Sequence, residues 1–144
     1  LPLLQARGMV VEVHAAAGLR IHGDGGLLRI ALGNFLSNAA KYGEAGGRVR
    51  VDLVRSNDVA RLIVWNEGAG FTPQEAERLF GKFSRLDNAT TRGARGSGVG
   101  LFLVRQIAEL HGGTVSAESL PGHWARFTFE IALPATPGSM EASR

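Results

Sequence analysis

Cysteine is absent from this chain of 144 residues, which excludes a disulfide framework and any thiolate metal site. Long apolar runs are absent too. No stretch of about 18 apolar residues exists to span a bilayer, so we expect no direct membrane contact and a cytoplasmic location, whether or not a parent protein is membrane-anchored. Aromatic residues are few, with 7 Phe, 2 Trp and 1 Tyr. None interleaves with basic residues in a stripe, so no nucleic-acid surface is expected. The four histidines, His14, His22, His111 and His123, lie far apart and form no metal-ligand spacing. Leu1–Arg7 shows neither an initiating Met nor the layout of a signal peptide, and reads as the start of a piece cut from a longer protein.

What is present begins with charge. The chain carries 16 basic and 13 acidic residues, for a net charge of +3. Lys82, Arg85, Arg92 and Arg95 fall within one segment whose only acid is Asp87. A local basic cluster beside a glycine loop favours a phosphate-bearing ligand over an extended polyanion.

Periodicity organises the rest. Val10–His14, Arg48–Arg55, Ala60–Asn66, Thr114–Glu118 and Arg126–Leu133 read as strands, the second of them by clear alternation. Ser56-Asn57-Asp58 and Pro121-Gly122 are turns. Ile21–Gly26 is a turn region in which Asp24 suits an N-cap, and Gly26–Tyr42 then predicts a helix with Leu28, Leu32, Phe35, Leu36 and Ala39 on its apolar face. Pro73–Phe80 predicts a short helix capped by Thr72. Gly98–His111 predicts another, with Val99, Phe102, Leu103, Ile107 and Leu110 inward and Gly112-Gly113 at its end. The fold expected is an α+β two-layer sandwich, with about three helices on one face of a mixed five-stranded sheet and a lid loop over about 84–97. One domain should cover 1–134, and 135–144 should form a disordered tail.

Three motifs carry chemistry. Asn34, Asn38, Lys41 and Tyr42 share one helix stripe at about 100° per residue. Two carboxamides, an ammonium and a phenol facing one cleft suit a nucleotide with Mg²⁺, a cation that takes hard oxygen ligands and few of them from protein. Asn66-Glu-Gly68-Ala-Gly70-Phe71 follows a strand, and its glycines allow close backbone approach. Gly96-Ser97-Gly98-Val99-Gly100-Leu101 opens a helix, where exposed N–H groups and the helix dipole favour an anion. No strand immediately precedes this last motif and no Gly-Lys-Ser/Thr follows, so it is neither a dinucleotide fingerprint nor a P-loop.

In this order and spacing the three motifs resemble the N, G1 and G2 boxes of a sensor histidine kinase ATP-binding domain, in the group that includes gyrase B, Hsp90 and MutL. The resemblance covers about 1–134. It implies ATP and Mg²⁺ as cofactors and γ-phosphoryl transfer to a histidine on a separate dimerisation domain, with a response regulator receiver domain downstream. It makes Asn38 the Mg²⁺ ligand, Lys41 a phosphate contact and Tyr42 a neighbour of adenine. Leu79-Phe80-Gly-Lys82-Phe83 resembles the F box flanking the lid, and Arg85 would reach the γ-phosphate. None of the four histidines sits in a phosphoacceptor box. Catalytic candidates are therefore Asn34, Asn38, Lys41 and Arg85.

Asn34 is a residue that many members of the family it resembles also carry, whereas two departures, at Asn66 and at Trp124-Ala125, mark this chain. Where ATP-hydrolysing relatives carry a Glu that activates water, Asn34 cannot accept a proton, so efficient hydrolysis is not expected. Where the family Asp accepts the adenine amino proton, Asn66 offers a neutral oxygen. The loss is on the order of 1 kcal/mol, up to about tenfold in affinity. Trp124 and Ala125 replace a glycine and a hydroxyl residue, and both are expected in the pocket of Asn66. Two alternatives stay open: a stand-alone anti-sigma-factor type serine kinase, and a non-catalytic nucleotide-binding module with a degraded adenine pocket.

Overall fold

The computed structural model describes residues 2–15, 25–80 and 100–133. Asp24 and His22, the segment from Lys82 through Arg85, Arg92 and Arg95 to Gly96, Ser97, Gly98 and Val99, and the tail all lie outside the described residues.

In chain order the elements are α1 (Pro2–Ala6), β1 (Val10–Ala15), α2 (Gly25–Tyr42), β2 (Arg48–Ser56), β3 (Val59–Glu67), α3 (Pro73–Ala76), α4 (Gly100–Leu110), β4 (Thr114–Leu120) and β5 (Trp124–Ala132). The five strands form one sheet in the order β1-β2-β3-β5-β4. β1 runs parallel to β2 and every other pairing is antiparallel, so the sheet is mixed, as expected. The β2–β3 hairpin turns on Asn57, the one described non-glycine residue with positive φ, at 56°. Asn tolerates that conformation better than most side chains.

Four helices are described rather than three, because α1 was not foreseen. It ends in a Schellman motif: Met9 N–H reaches the Leu4 carbonyl at 3.0 Å and Gly8 N–H reaches that of Gln5 at 2.9 Å, with Gly8 at φ 66°. The signal was a Pro at the start and a Gly at the end of a seven-residue stretch. α4 closes in the same way on Gly112 and Gly113, through Gly113 N–H to the Ala108 carbonyl at 2.8 Å. α3 starts at a full capping box. Thr72 Oγ1 accepts the Glu75 N–H, and Glu75 Oε1 accepts the Thr72 N–H.

Helices cover one sheet face. Alternation sends Val49, Val51, Ala60, Val64, Phe127, Phe129 and Ile131 into the core. Phe127 stands between two rings, with its centroid 5.9 Å from both Phe35 and Phe71. The helix phases differ from expectation. α2 presses Ala31, Phe35 and Ala39 inward, while Leu28 and Leu36 pack at the margin. α4 buries Leu101, Val104, Ile107 and Ala108 and leaves Leu103 and Leu110 exposed. Arg105, Gln106 and Glu109 share one side, and the apolar arc opposite is wide enough that periodicity did not fix which of its residues turn inward. The small Ala31, Ala39 and Ala108 let helices lie close to the sheet.

The other sheet face is solvated. Arg48 pairs with Glu67, Arg50 with Asp52, Arg61 with Glu130 and Arg126 with Glu118. Among the described residues no helix is long and apolar enough to cross a membrane.

Truncating the central ring should be expensive. Phe127→Ala is expected to cost about 3–5 kcal/mol, read as a lower urea midpoint at unchanged slope. A cost below about 1 kcal/mol would show that this core is not organised around Phe127.

Candidate functional site

The sequence candidates converge where α2 ends against the end of β3. Helix α2 carries Asn34, Asn38, Lys41 and Tyr42 in its last three turns. Asn38 is buried, and the other three are partly buried. Each carboxamide is oriented by its own helix. Asn34 Nδ2 donates to the Ile30 carbonyl at 3.0 Å, and Asn38 Nδ2 donates to the Asn34 carbonyl at 2.8 Å. With the nitrogens committed, Oδ1 is the end left to meet a ligand, which is the end a hard cation requires.

The helix then stops at Gly43, which bridges to Gly68. Glu44 N–H adds a bond to the Glu67 carbonyl at 2.9 Å. These two glycines are dictated by contact. A Cβ on Gly68 would lie 2.5 Å from the Tyr42 carbonyl oxygen and 2.8 Å from Gly43 Cα, distances no side chain tolerates. One on Gly70 would overlap Ser119 Oγ, and Gly70 also sits at φ 66°. The glycines of the second motif therefore press against protein backbone and Ser119, a role that its resemblance to a base-binding loop did not reveal.

Asn66 is the chemical centre of the second motif. It is fully buried. Its Nδ2 donates a long 3.2 Å bond to the Glu67 carbonyl, and its Oδ1 has no hydrogen-bond partner. A buried acceptor left unsatisfied costs about 1–3 kcal/mol, a cost that a ligand donor removes. Glu67 beside it is held below the usual carboxylate range, first by the Arg48 backbone N–H at 2.7 Å and then by the Arg48 side chain. That ion pair belongs to the solvated face and fixes the strand end.

Ala125 and Trp124 do not share a pocket. Ala125 lies opposite Asn66 on β5 and is fully buried with it. Trp124 lies opposite Glu67, and its ring sits under the Arg126 guanidinium, 5.3 Å from the centroid. Successive residues of a strand face opposite sides of the sheet. Only Ala125 bears on the pocket of Asn66, which corrects the expectation for Trp124.

Phe71 and Leu101 both pack into the core. Phe71 is 3% exposed against Phe127, and Leu101 is 6% exposed in the same core. Their side chains anchor the loops that carry them. Gly100 begins α4. The remaining candidates, Arg85, Gly96, Ser97, Gly98 and Val99, lie outside the described residues. Among the described residues no cluster of three or more His, Cys, Asp or Glu could hold a metal ion.

Sequence reasoning missed three residues. Ser119 Oγ accepts the Phe71 N–H at 2.9 Å and donates to the Trp124 carbonyl at 2.8 Å, latching the second motif to the β4–β5 turn. Arg7 Nη2 donates to the Gly43 carbonyl at 2.8 Å. Gly43 itself packs against Ala39 and Met9. A hydroxyl at an inward strand position was the one readable signal among them.

With the site in view, comparison with known proteins defines its class. The family of histidine kinase-, DNA gyrase B- and HSP90-like ATPases matches residues 23–135, and the chain belongs to it. Over 125 residues the chain is 39% identical to the sensor-like histidine kinase SenX3 of Mycobacterium tuberculosis, covering 87% of this chain and 30% of that protein. The chain thus spans under a third of that relative. Among solved structures, the mycobacterial sensor histidine kinase MprB matches with a TM-score of 0.76 at 30% identity, covering 92% of this chain and 91% of that one. Full-length ShkA in complex with AMPPNP matches with a TM-score of 0.79 at 31% identity, covering 94% and 28%.

Gly70→Ala should be destabilising by about 1–3 kcal/mol, since it combines overpacking with a left-handed backbone. Thermal unfolding measures this. Gly46→Ala is the control, because its φ is also positive, at 76°, but open space surrounds it. Equal losses in the two variants would leave backbone strain as the whole effect and remove the Ser119 contact from the account.

Proposed function

We propose that this chain binds Mg·ATP and donates the γ-phosphoryl group to a histidine on a separate dimerisation domain, from which it passes to the receiver domain of a response regulator. The observation that carries the reading is the buried, unpartnered Oδ1 of Asn66, set at the strand end that α2 brings beside Asn38, Lys41 and Tyr42. Family membership and the sensor kinases among its relatives support the same reading.

The roles follow from the chemistry of each group. Asn66 accepts the amino proton of adenine. Tyr42 flanks the base. Asn38 offers its carboxamide oxygen to Mg²⁺, and Lys41 its ammonium to phosphate. Arg85 and the glycines from Gly96 to Gly100 are assigned to the phosphates on the strength of the resemblance. The nucleotide and its cation supply the electrophilic phosphorus and part of the charge neutralisation when bound. The chain contributes binding, orientation and charge stabilisation, with no covalent intermediate of its own.

Asn34 shapes the outcome. A carboxamide takes no proton from water, so the residue in the position of a general base leaves the γ-phosphate unhydrolysed. That suits a donor whose acceptor is a protein side chain. One observation favours a second reading, a regulatory module that binds nucleotide weakly or not at all. Ala125 faces Asn66 without a hydroxyl, and the base-reading group is neutral.

Calorimetric titration with a non-hydrolysable ATP analogue, with and without Mg²⁺, separates the two. Binding that strengthens with Mg²⁺ is expected. Asn38→Ala should abolish that strengthening and weaken Mg-dependent affinity by at least about tenfold. No heat of binding up to millimolar nucleotide would favour the regulatory module. The isolated domain is further expected to show negligible ATPase activity by phosphate release. Rapid Mg²⁺-dependent hydrolysis that survives Asn34→Ala would contradict the role given to Asn34.

A further inference from the structure

Nothing among the described residues dictates which end of the Asn66 carboxamide meets a ligand. Nδ2 holds one contact, 3.2 Å long, to the Glu67 carbonyl. That carbonyl already accepts the Glu44 N–H at 2.9 Å, so it stays bonded if the amide turns over. The cross-strand neighbours are Val49 on β2 and Ala125 on β5. Both are fully buried, and neither side chain carries a donor or an acceptor. Gly43, near Nδ2, has no side chain to add one. Oδ1 has no hydrogen-bond partner among the described residues.

A carboxamide presents an acceptor and a donor side by side, whereas a carboxylate presents acceptors alone. Purines divide along the same line. Adenine donates from its 6-amino group and accepts at N1. A 6-oxopurine such as hypoxanthine or guanine accepts at O6 and donates from N1–H. Asn66 complements the adenine edge with Oδ1 toward the 6-position. After a half-turn about its terminal torsion it complements the 6-oxopurine edge with Nδ2. A carboxylate at the same place would set oxygen against oxygen in the second case.

We propose that Asn66 is a base-selectivity determinant that makes the site purine-tolerant, taking 6-oxopurine nucleotides alongside adenine nucleotides. The inference rests on the base-binding role given to Asn66 above. Turning the amide gives up one long neutral contact and brings Oδ1 toward the Glu67 carbonyl oxygen, so 6-oxopurines should bind the more weakly of the two classes, within about tenfold of adenine nucleotides.

Inosine diphosphate tests this cleanly, because it differs from ADP only along the edge that Asn66 would read and donates no phosphoryl group. Isothermal titration of the purified chain with Mg·ADP and with Mg·IDP is expected to give dissociation constants within about tenfold of each other. Asn66→Asp should then open the ratio in favour of ADP by a further factor of about 10 to 100. Wild-type IDP binding weaker than ADP by more than tenfold would overturn the inference while leaving the ATP reading intact. So would an Asn66→Asp variant that melts cooperatively yet keeps the wild-type ratio. Should that variant not fold, the wild-type ratio decides alone. Binding of neither nucleotide at millimolar concentration would overturn the base-binding role itself, and the inference with it.

Discussion

The end of α2 has to pass the end of β3 at backbone-to-backbone distance. Gly43 and Gly68 bridge there, Glu44 N–H bonds the Glu67 carbonyl, and no Cβ fits on either glycine. Much of the candidate site depends on this crossing. It brings the last turn of α2, which ends at Tyr42, to the strand end that carries Asn66, although 24 residues separate those two in sequence. It also positions the turn that Arg7 grips through the Gly43 carbonyl, so α1 is tied to the same point. Hydrogen bonds between backbone groups are short and directional, and so a crossing built from them fixes geometry more tightly than side-chain packing does.

The core supplies the platform. Phe127 on β5 touches Phe35 on α2 and Phe71 in the loop after β3. One ring therefore joins the helical layer, the sheet and the second motif. The opposite face needs no cover, since arginine–carboxylate pairs solvate it. Surface pairs of this kind add little stability, and here they keep an uncovered face compatible with water.

Asn66 stands between apolar neighbours. Val49 and Ala125 flank it on the adjoining strands, so the side-chain polarity at this point of the sheet is concentrated in one carboxamide. In such surroundings a single hydrogen bond, made or missed, weighs more than it would in water.

Local pattern was enough for much of the chain. Five strands, the long α2, the capped start at Thr72 and the glycine stop of α4 were all readable, because alternation, helical stripes, caps and turn residues act over a few neighbouring positions. Asn34, Asn38 and Lys41 were readable as one helix stripe and Asn66 as a strand end, and α2 and β3 carry them. What lay beyond the sequence depended on facing. α4 has a wide apolar arc, and contact with the sheet chose Leu101, Val104 and Ile107 within it over Leu103 and Leu110. Trp124 and Ala125 are adjacent in sequence, yet strand register sent one to solvent beside Arg126 and the other against Asn66. Packing placed Phe71 and Leu101 in the core. Sequence alone determined which groups this protein has and the local elements that carry them. Tertiary structure decided which groups meet, because contact between distant segments is set by register and packing, which no local pattern encodes.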